Sequence, residues 1–186
     1  FFFFSLKRLY GLPDQIAEME FFRIRAKFPL IPTLVEVVEK FGRSMHLMIE
    51  VKEEFYPDRW YQNRVLKSIL SDLKACDDFH LLSLTPEVFG NFDFVAKKAF
   101  VPVASTNIAK MSRLSLKQAW GGIDGHYLFV RNAMIRKYHN RGRLVGTGFV
   151  ESKNCLCREL NRGVDWIFSN DAIKLQKMRD EMLEEA

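Results

Sequence analysis

From Ile31 onward, short β-rich apolar runs alternate with longer segments whose apolar positions recur every three to four residues. The first long segment, "PTLVEVVEKFG" (32–42), predicts a helix. Pro32 suits its first turn, Leu34, Val37 and Val38 form the apolar face, and Gly42 ends it. "LMIEV" (47–51) predicts a strand, and "DRWYQNRVLKSILSDLKAC" (58–76) predicts a helix whose Trp60, Val65, Leu66, Ile69, Leu70 and Leu73 share one face. Strand "FHLLSL" (79–84), helical "PEVFGNFDFVAKKAF" (86–100) and strand "VPVAS" (101–105) follow, Pro102 arguing against a central place for the last. Helix "NIAKMSRLSLKQAW" (107–120), strand "GIDGHYLFV" (122–130) and helix "RNAMIRKYHNRG" (131–142) form the next repeat. Strand "RLVGTGFV" (143–150), helix "SKNCLCRELNRG" (152–163), strand "VDWIFS" (164–169) and helix "DAIKLQKMRDEMLEE" (171–185) complete the pattern.

Six strands, each followed by a helix, point to an α/β protein with a parallel sheet, either doubly wound or a (β/α) barrel. A complete TIM-type barrel has eight such units and typically ~250 residues. Six units in 186 residues therefore predict an incomplete barrel of about six of the eight βα units. No Pro/Gly/Ser-rich linker divides the chain, which predicts a single domain over residues 1–186. A doubly wound nucleotide-binding fold would call for a G-x-G-x-x-G turn after a strand, and the sequence has none.

Composition narrows the partners. Apolar residues make up 48% of the chain and charged residues 27%, ordinary for a globular protein, while 17 Phe predict an aromatic-rich core. The net charge of +5 slightly favours anionic ligands, but the basic residues are scattered, which argues against a nucleic-acid surface. Cys76, Cys155 and Cys157 match no zinc spacing and read as free thiols, tilting the compartment toward a reducing, cytoplasmic one without fixing it. No run reaches the ~18 apolar residues of a membrane span. The opening "FFFFSLKRLYG" lacks an initiator Met and reads as an internal stretch of a longer protein.

In a barrel of this kind the chemistry sits at the carboxyl ends of the strands. That rule selects Glu50 and Lys52, Ser83, Ser105, Tyr127, Phe149, Glu151, Ser169 and Asn170. Glu50 and Lys52 are two apart on one strand and point the same way. A carboxylate suits a hard divalent cation, and a lysine beside it suits a phosphate ester. The same pair also reads as a solvated ion pair. Ser83 reads equally as a hydroxyl satisfying backbone, and Phe149 as a core residue. His46 and His80 stand at strand starts, His139 at a helix end, and His126 within a strand, none of them positions for a catalytic base.

"IPTLVEVVEKFGRSMHLMIEVK" resembles the I-P-T-L-x-E-V-L…I-E-I-K stretch of the glycerophosphodiester phosphodiesterases, through Ile31–Val38 and Ile49–Lys52. "LLSL" (81–84) looks like their strand ending in Ser-Phe, "RGRLVGTGFVES" is similar to G-x-x-V-x-x-W-T-V-N, and "GVDWIFSND" resembles G-V-D-G-I-I-T-D. The resemblance implies a (β/α)₈ barrel that hydrolyses glycerophosphodiesters to an alcohol and glycerol 3-phosphate with a divalent metal, Mg2+ or Ca2+. It implies that Glu50 is a metal ligand, that Lys52 contacts the substrate phosphate, and that Ser83 and Phe149 stand at substrate-facing positions. The family's H-R-G…P-E-N block, its E-x-D element and its second catalytic histidine, which supply the general acid and base and most of the metal ligands, have no counterpart in this sequence. "FFFFSLKRLYGLPD" corresponds to the region just after that histidine, so the catalytic residues proper are not assigned. Leu84 replaces the Phe of Ser-Phe, Gly148 or Phe149 the Trp, Glu151 the Asn, and Asn170 the final Asp.

Two classes of function follow. One is a metal-dependent phosphodiester hydrolase acting on a small glycerophosphodiester, an activity expected of a parent protein and not of this chain alone. The other is a degenerate, non-catalytic barrel serving as a binding or interaction protein. In either case two missing strands would leave an open sheet edge through which a second copy could pair.

Overall fold

The computed structural model describes residues 32–52 and 59–184 of the chain. The opening segment, Ile31, Asp58 and Glu185, on which parts of the expectations above rest, lie outside them.

Six strands alternate with helices: β1 (Leu47–Glu50), β2 (Phe79–Ser83), β3 (Phe100–Ala104), β4 (Gly122–His126), β5 (Leu144–Gly148) and β6 (Trp166–Ile167). The helices are α1 (Leu34–Phe41), α2 (Arg59–Ile69), α3 (Ile108–Gln118), α4 (Asn132–His139), α5 (Lys153–Asn161) and α6 (Ala172–Glu184). Every strand pairs parallel to its sequence neighbour, giving the order β1-β2-β3-β4-β5-β6. A doubly wound sheet reverses its strand order at a switch point; this one does not, and it winds in one direction as a TIM-type barrel does. The sheet curls far enough for the His80 ring on β2 to meet Trp166 on β6 edge-on, with centroids 4.9 Å apart. The described strands thus form an incomplete barrel with β1 and β6 at its two ends.

Local chemistry moves several expected boundaries. Thr33, not Pro32, starts α1. Its hydroxyl accepts the Glu36 N–H at 3.3 Å while the Glu36 carboxylate accepts the Thr33 N–H at 2.7 Å, a reciprocal capping box. Thr33→Ala is expected to cost about 1 kcal/mol of stability, read as a lower urea midpoint at unchanged slope. Gly42 ends the helix as expected; a Cβ there would lie 2.6 Å from the Val38 carbonyl.

Helix α2 stops at Ile69 rather than running to Cys76. The Asp78 carboxylate accepts the Lys74 N–H at 2.7 Å, offering the backbone a turn in place of another helical bond, and Cys76 takes a φ of 77°. Trp60 is 83% exposed and leaves the expected apolar face. Six residues from Leu66 it stands about 120° around a helix of 3.6 residues per turn, whereas Leu66, Ile69, Leu70 and Leu73 pack on the sheet.

The segment after β2 forms two 3₁₀ turns, Pro86–Asn91 and Lys97–Ala99, instead of an α-helix. Its buried Phe89, Phe92 and Val95 recur every third residue, the spacing that a 3₁₀ turn eclipses onto one side. Phe89 stacks on Phe100 at 4.6 Å and meets Trp120 edge-on at 5.1 Å. Strand β3 is central despite Pro102. Its ladder to β2 ends at Pro102, and its ladder to β4 begins at Val103, so the proline sits where pairing changes sides.

Period-2 geometry divides the sheet into two faces. Phe79 and Leu81 of β2, Ile123 of β4 and Val145 of β5 are wholly or almost wholly buried against the helices. Between them, His80, Asp124, Gly146 and Trp166 face the interior of the barrel.

Candidate active site

The floor of the interior is imidazole and indole. His46 Nδ1 lies 2.8 Å from the Asp77 carbonyl, which can only accept, so His46 donates there. In the neutral pair, His46 Nε2 then accepts from His80 Nδ1 at 2.8 Å. Burial, with His46 beside it, pulls the His80 imidazole from 6.5 to about 4, so it is neutral at physiological pH. These two histidines stand at the amino ends of the strands, where a structural role was expected.

Asp124 lies above this floor, midway along β4 and only 6% exposed. Among the described residues its Oδ1 has no hydrogen-bond partner. Burial raises its pKa from 3.8 to about 7, a backbone bond from Gly125 opposing and the charge of Glu50 adding to the rise. Gly146 is its neighbour on β5, and a Cβ there would stand 2.9 Å from Asp124 Oδ1 and 2.9 Å from the Phe168 ring. The missing side chain gives the carboxylate its place.

At the carboxyl end of β1, Glu50 Oε2 and Lys52 Nζ are 3.6 Å apart, both partly exposed. The strand pattern had put them on one side, and they meet there. Across the mouth, β4 ends at His126 rather than continuing to Val130, which brings His126 to the rim. Its Nδ1 accepts the Leu128 N–H at 3.2 Å, and its ring lies 4.6 Å from Tyr127, 5.8 Å from Phe129 and 5.5 Å from Phe149. Phe149 is 57% exposed and has a φ of 66°, so it stands at the surface of the mouth rather than in the core. The Arg158 guanidinium covers the Tyr127 ring at 4.9 Å. Asn170 donates to Glu151 at 3.1 Å, tying the loops after β5 and β6 together. Ser169 accepts the Asp171 N–H at 3.1 Å, which turns the chain into α6.

Ser83 is placed differently from these rim groups. It is buried, its hydroxyl donates to the Val51 carbonyl at 2.9 Å, and it accepts the Thr85 N–H at 3.1 Å. It holds the end of β1, between Glu50 and Lys52, against β2. Asp124 was not among the residues expected at the site. The signal was present in "GIDGH": an acidic residue between glycines, two before His126 and on its face, in a run otherwise read as strand.

Carboxylates are hard oxygen donors of the kind Mg2+ and Ca2+ take, and Glu50 and Asp124 supply two of them to this interior. Among the described residues no group of three or more His, Cys, Asp or Glu side chains gathers around one point. Mg2+ is commonly held by one or two carboxylates, its other positions going to water and substrate phosphate, so the donors present fit it in kind.

No protein-family model and no curated protein matches the chain. Solved structures do. A phosphodiesterase from Oleispira antarctica in complex with the product sn-glycerol-3-phosphate superimposes with a TM-score of 0.65 at 18% identity, over 81% of this chain and 62% of that one. A glycerophosphodiester phosphodiesterase from Parabacteroides distasonis gives 0.62 at 16% identity, over 81% and 65%. One from Thermotoga maritima gives 0.60 at 16% identity, over 77% and 62%. The chain spans less than two thirds of the length of each. At such identities the likeness concerns the fold alone: the incomplete barrel of this chain is similar to part of the barrel in these three structures.

Proposed function

We propose that the protein is a metal-dependent phosphodiester hydrolase that releases an alcohol and glycerol 3-phosphate from a small glycerophosphodiester. The observation that carries this reading is the Glu50–Lys52 pair, set at the carboxyl end of a strand in a barrel whose structural neighbours are phosphodiesterases of this class. The sn-glycerol-3-phosphate held by the Oleispira antarctica structure supports a substrate of that size and charge.

In this reading Glu50 is a ligand of a divalent cation, Mg2+ or Ca2+. When bound, the cation offsets the negative charge that builds on the phosphoryl oxygens. Lys52, two residues beyond the end of β1, neutralises the substrate phosphate. Ser83 holds the β1 end in place through the Val51 carbonyl, and Phe149 covers the alcohol portion at the mouth.

The test is a coupled assay for glycerol 3-phosphate release from glycerophosphocholine, with and without Mg2+ or Ca2+. Glu50→Ala is expected to cut release by more than about 100-fold, beyond the loss of an outer-sphere partner of a metal site. Lys52→Met is expected to raise KM more than it lowers kcat. Absence of release by the folded chain would leave either a fragment of the enzyme or a non-catalytic barrel, whereas metal-dependent release lost in Glu50→Ala would support the enzymatic reading.

A further inference from the structure

The two ends of the barrel differ in what they leave in water. Helices that connect parallel strands run back against them, so each helix starts at the mouth end and finishes at the amino end. Trp60 lies in the first turn of α2 and Ile173 in the first turn of α6, and both are strongly exposed, at 83% and 74%. Leu84, just past β2, is exposed as well. After β4 the chain exposes Leu128 and Phe129, and the His126 ring links Phe129 at 5.8 Å to Phe149 at 5.5 Å. Among the described residues, the exposed large apolar side chains at the opposite end are Met45, Leu160 and Leu183.

Packing does not account for this distribution. Phe149 is held out at a φ of 66°, a backbone outlier for a bulky residue, and Trp60 has left the buried face of its helix. Exposed cations accompany three of the projections: Arg59 precedes Trp60, Arg131 follows the Leu128–Phe129 loop, and Lys174 follows Ile173. Two carboxylates at the same end are engaged, Glu151 by Asn170 at 3.1 Å and Asp171 by the Lys174 N–H at 3.0 Å.

Single exposed apolar residues are ordinary on a surface; these are gathered at one end and set around an opening. A folded protein partner needs a packed apolar patch of complementary shape, which anchors spaced around a polar mouth do not provide. A phospholipid surface is fluid and requires no matched shape. It takes aromatic and aliphatic side chains at headgroup depth, and its negative charge attracts the cations that flank them. No helix among the described residues is long and apolar enough to cross a membrane, so the contact is peripheral.

We propose that the mouth end of the barrel is a docking surface for an anionic phospholipid membrane, with Trp60, Leu128, Phe129 and Ile173 as its anchors. The inference goes beyond the hydrolase reading and does not depend on turnover by this chain.

Cosedimentation with vesicles tests it, using phosphatidylcholine alone and phosphatidylcholine with phosphatidylglycerol in equal parts. Wild type is expected to bind the mixed vesicles more tightly than the neutral ones. Trp60→Ser and Phe129→Ser are each expected to weaken that binding by about 5- to 20-fold, and Leu183→Ser, at the amino end, to leave it unchanged. All three positions are exposed, and thermal unfolding checks that the variants remain folded. Tryptophan emission of the wild type is expected to shift to the blue on docking, because Trp60 is far more exposed than Trp120. Failure of the folded wild type to bind either vesicle would overturn the proposal. So would binding that Leu183→Ser weakens as much as Phe129→Ser does, or that neither mouth variant alters. A wild type that ignores vesicles but forms a dimer, dissociated by Phe129→Ser, would assign the face to a second copy of the chain instead.

Discussion

In chelator, Asp124→Asn is expected to be more stable than the wild type by up to about 4 kcal/mol at pH 8, and by almost nothing near pH 4. The carboxyl is held at about 7 in the folded protein against 3.8 as a free side chain, burial being the largest cause. Between those values the folded state binds the extra proton, so wild-type stability falls as pH rises from about 4 to about 7. Asparagine carries no charge to bury and removes that fall.

His80 works in the opposite direction. Its folded value of about 4 lies below the ordinary 6.5, so the unfolded chain binds the extra proton in that window. Stability from neutral His80 is therefore present above pH 6.5 and lost as pH drops toward 4, a swing of about 3 kcal/mol. In the wild type the two groups oppose each other over nearly the same interval, and these two contributions largely cancel. Asp124→Asn exposes the His80 slope alone, with stability rising from pH 4 to 6.5. Urea midpoints across pH 4–8 read both effects. Parallel curves for wild type and variant would mean that Asp124 is not held protonated by its surroundings.

Glu159→Ala is expected to destabilise the protein by about 3–5 kcal/mol, the cost of leaving a buried charge without its partner. Glu159 is fully buried on α5 and receives Arg158 Nε at 2.8 Å and Arg162 Nη1 at 2.8 Å and 3.0 Å. The Arg162 side chain is 13% exposed, and it also donates to Asn132 Oδ1 at 2.7 Å and to the Val130 carbonyl. It joins α5 to the start of α4, directly behind the aromatic rim of the mouth. Removing the carboxylate strands Arg162 and loosens that junction, while Arg158, which is half exposed, loses less. Glu159→Gln, which keeps part of the hydrogen bonding, is expected to fall between alanine and wild type in thermal unfolding. Equal stability of all three would show that the guanidinium groups find water instead.

Much of the architecture was legible in the chain because it depends on local periodicity. Each of the six strands lies within or next to the apolar run that predicted it, and each helix lies within its amphipathic segment. The expected pairing of Glu50 with Lys52 needed only the two-residue repeat of a strand. Boundaries were less legible. Trp60 left the apolar face, α2 stopped short of Cys76, and the Phe-rich segment after β2 became 3₁₀ turns. In each case a short-range detail, a phase angle, an aspartate competing for a backbone N–H or a three-residue repeat, outweighed the general pattern.

The sequence by itself determined the strand–helix alternation and the charged pair at the end of β1, because both follow from spacing along one element. Only the tertiary structure decided that Pro102 sits inside the sheet, that His126 reaches the rim and that Asp124 lies buried facing the barrel interior. Those facts depend on which strands lie side by side and how tightly the sheet curls. Residues 74 positions apart in sequence, as Glu50 and Asp124 are, come to share an environment only when four parallel strands bend around one axis. Spacing along the chain carries no record of that curvature.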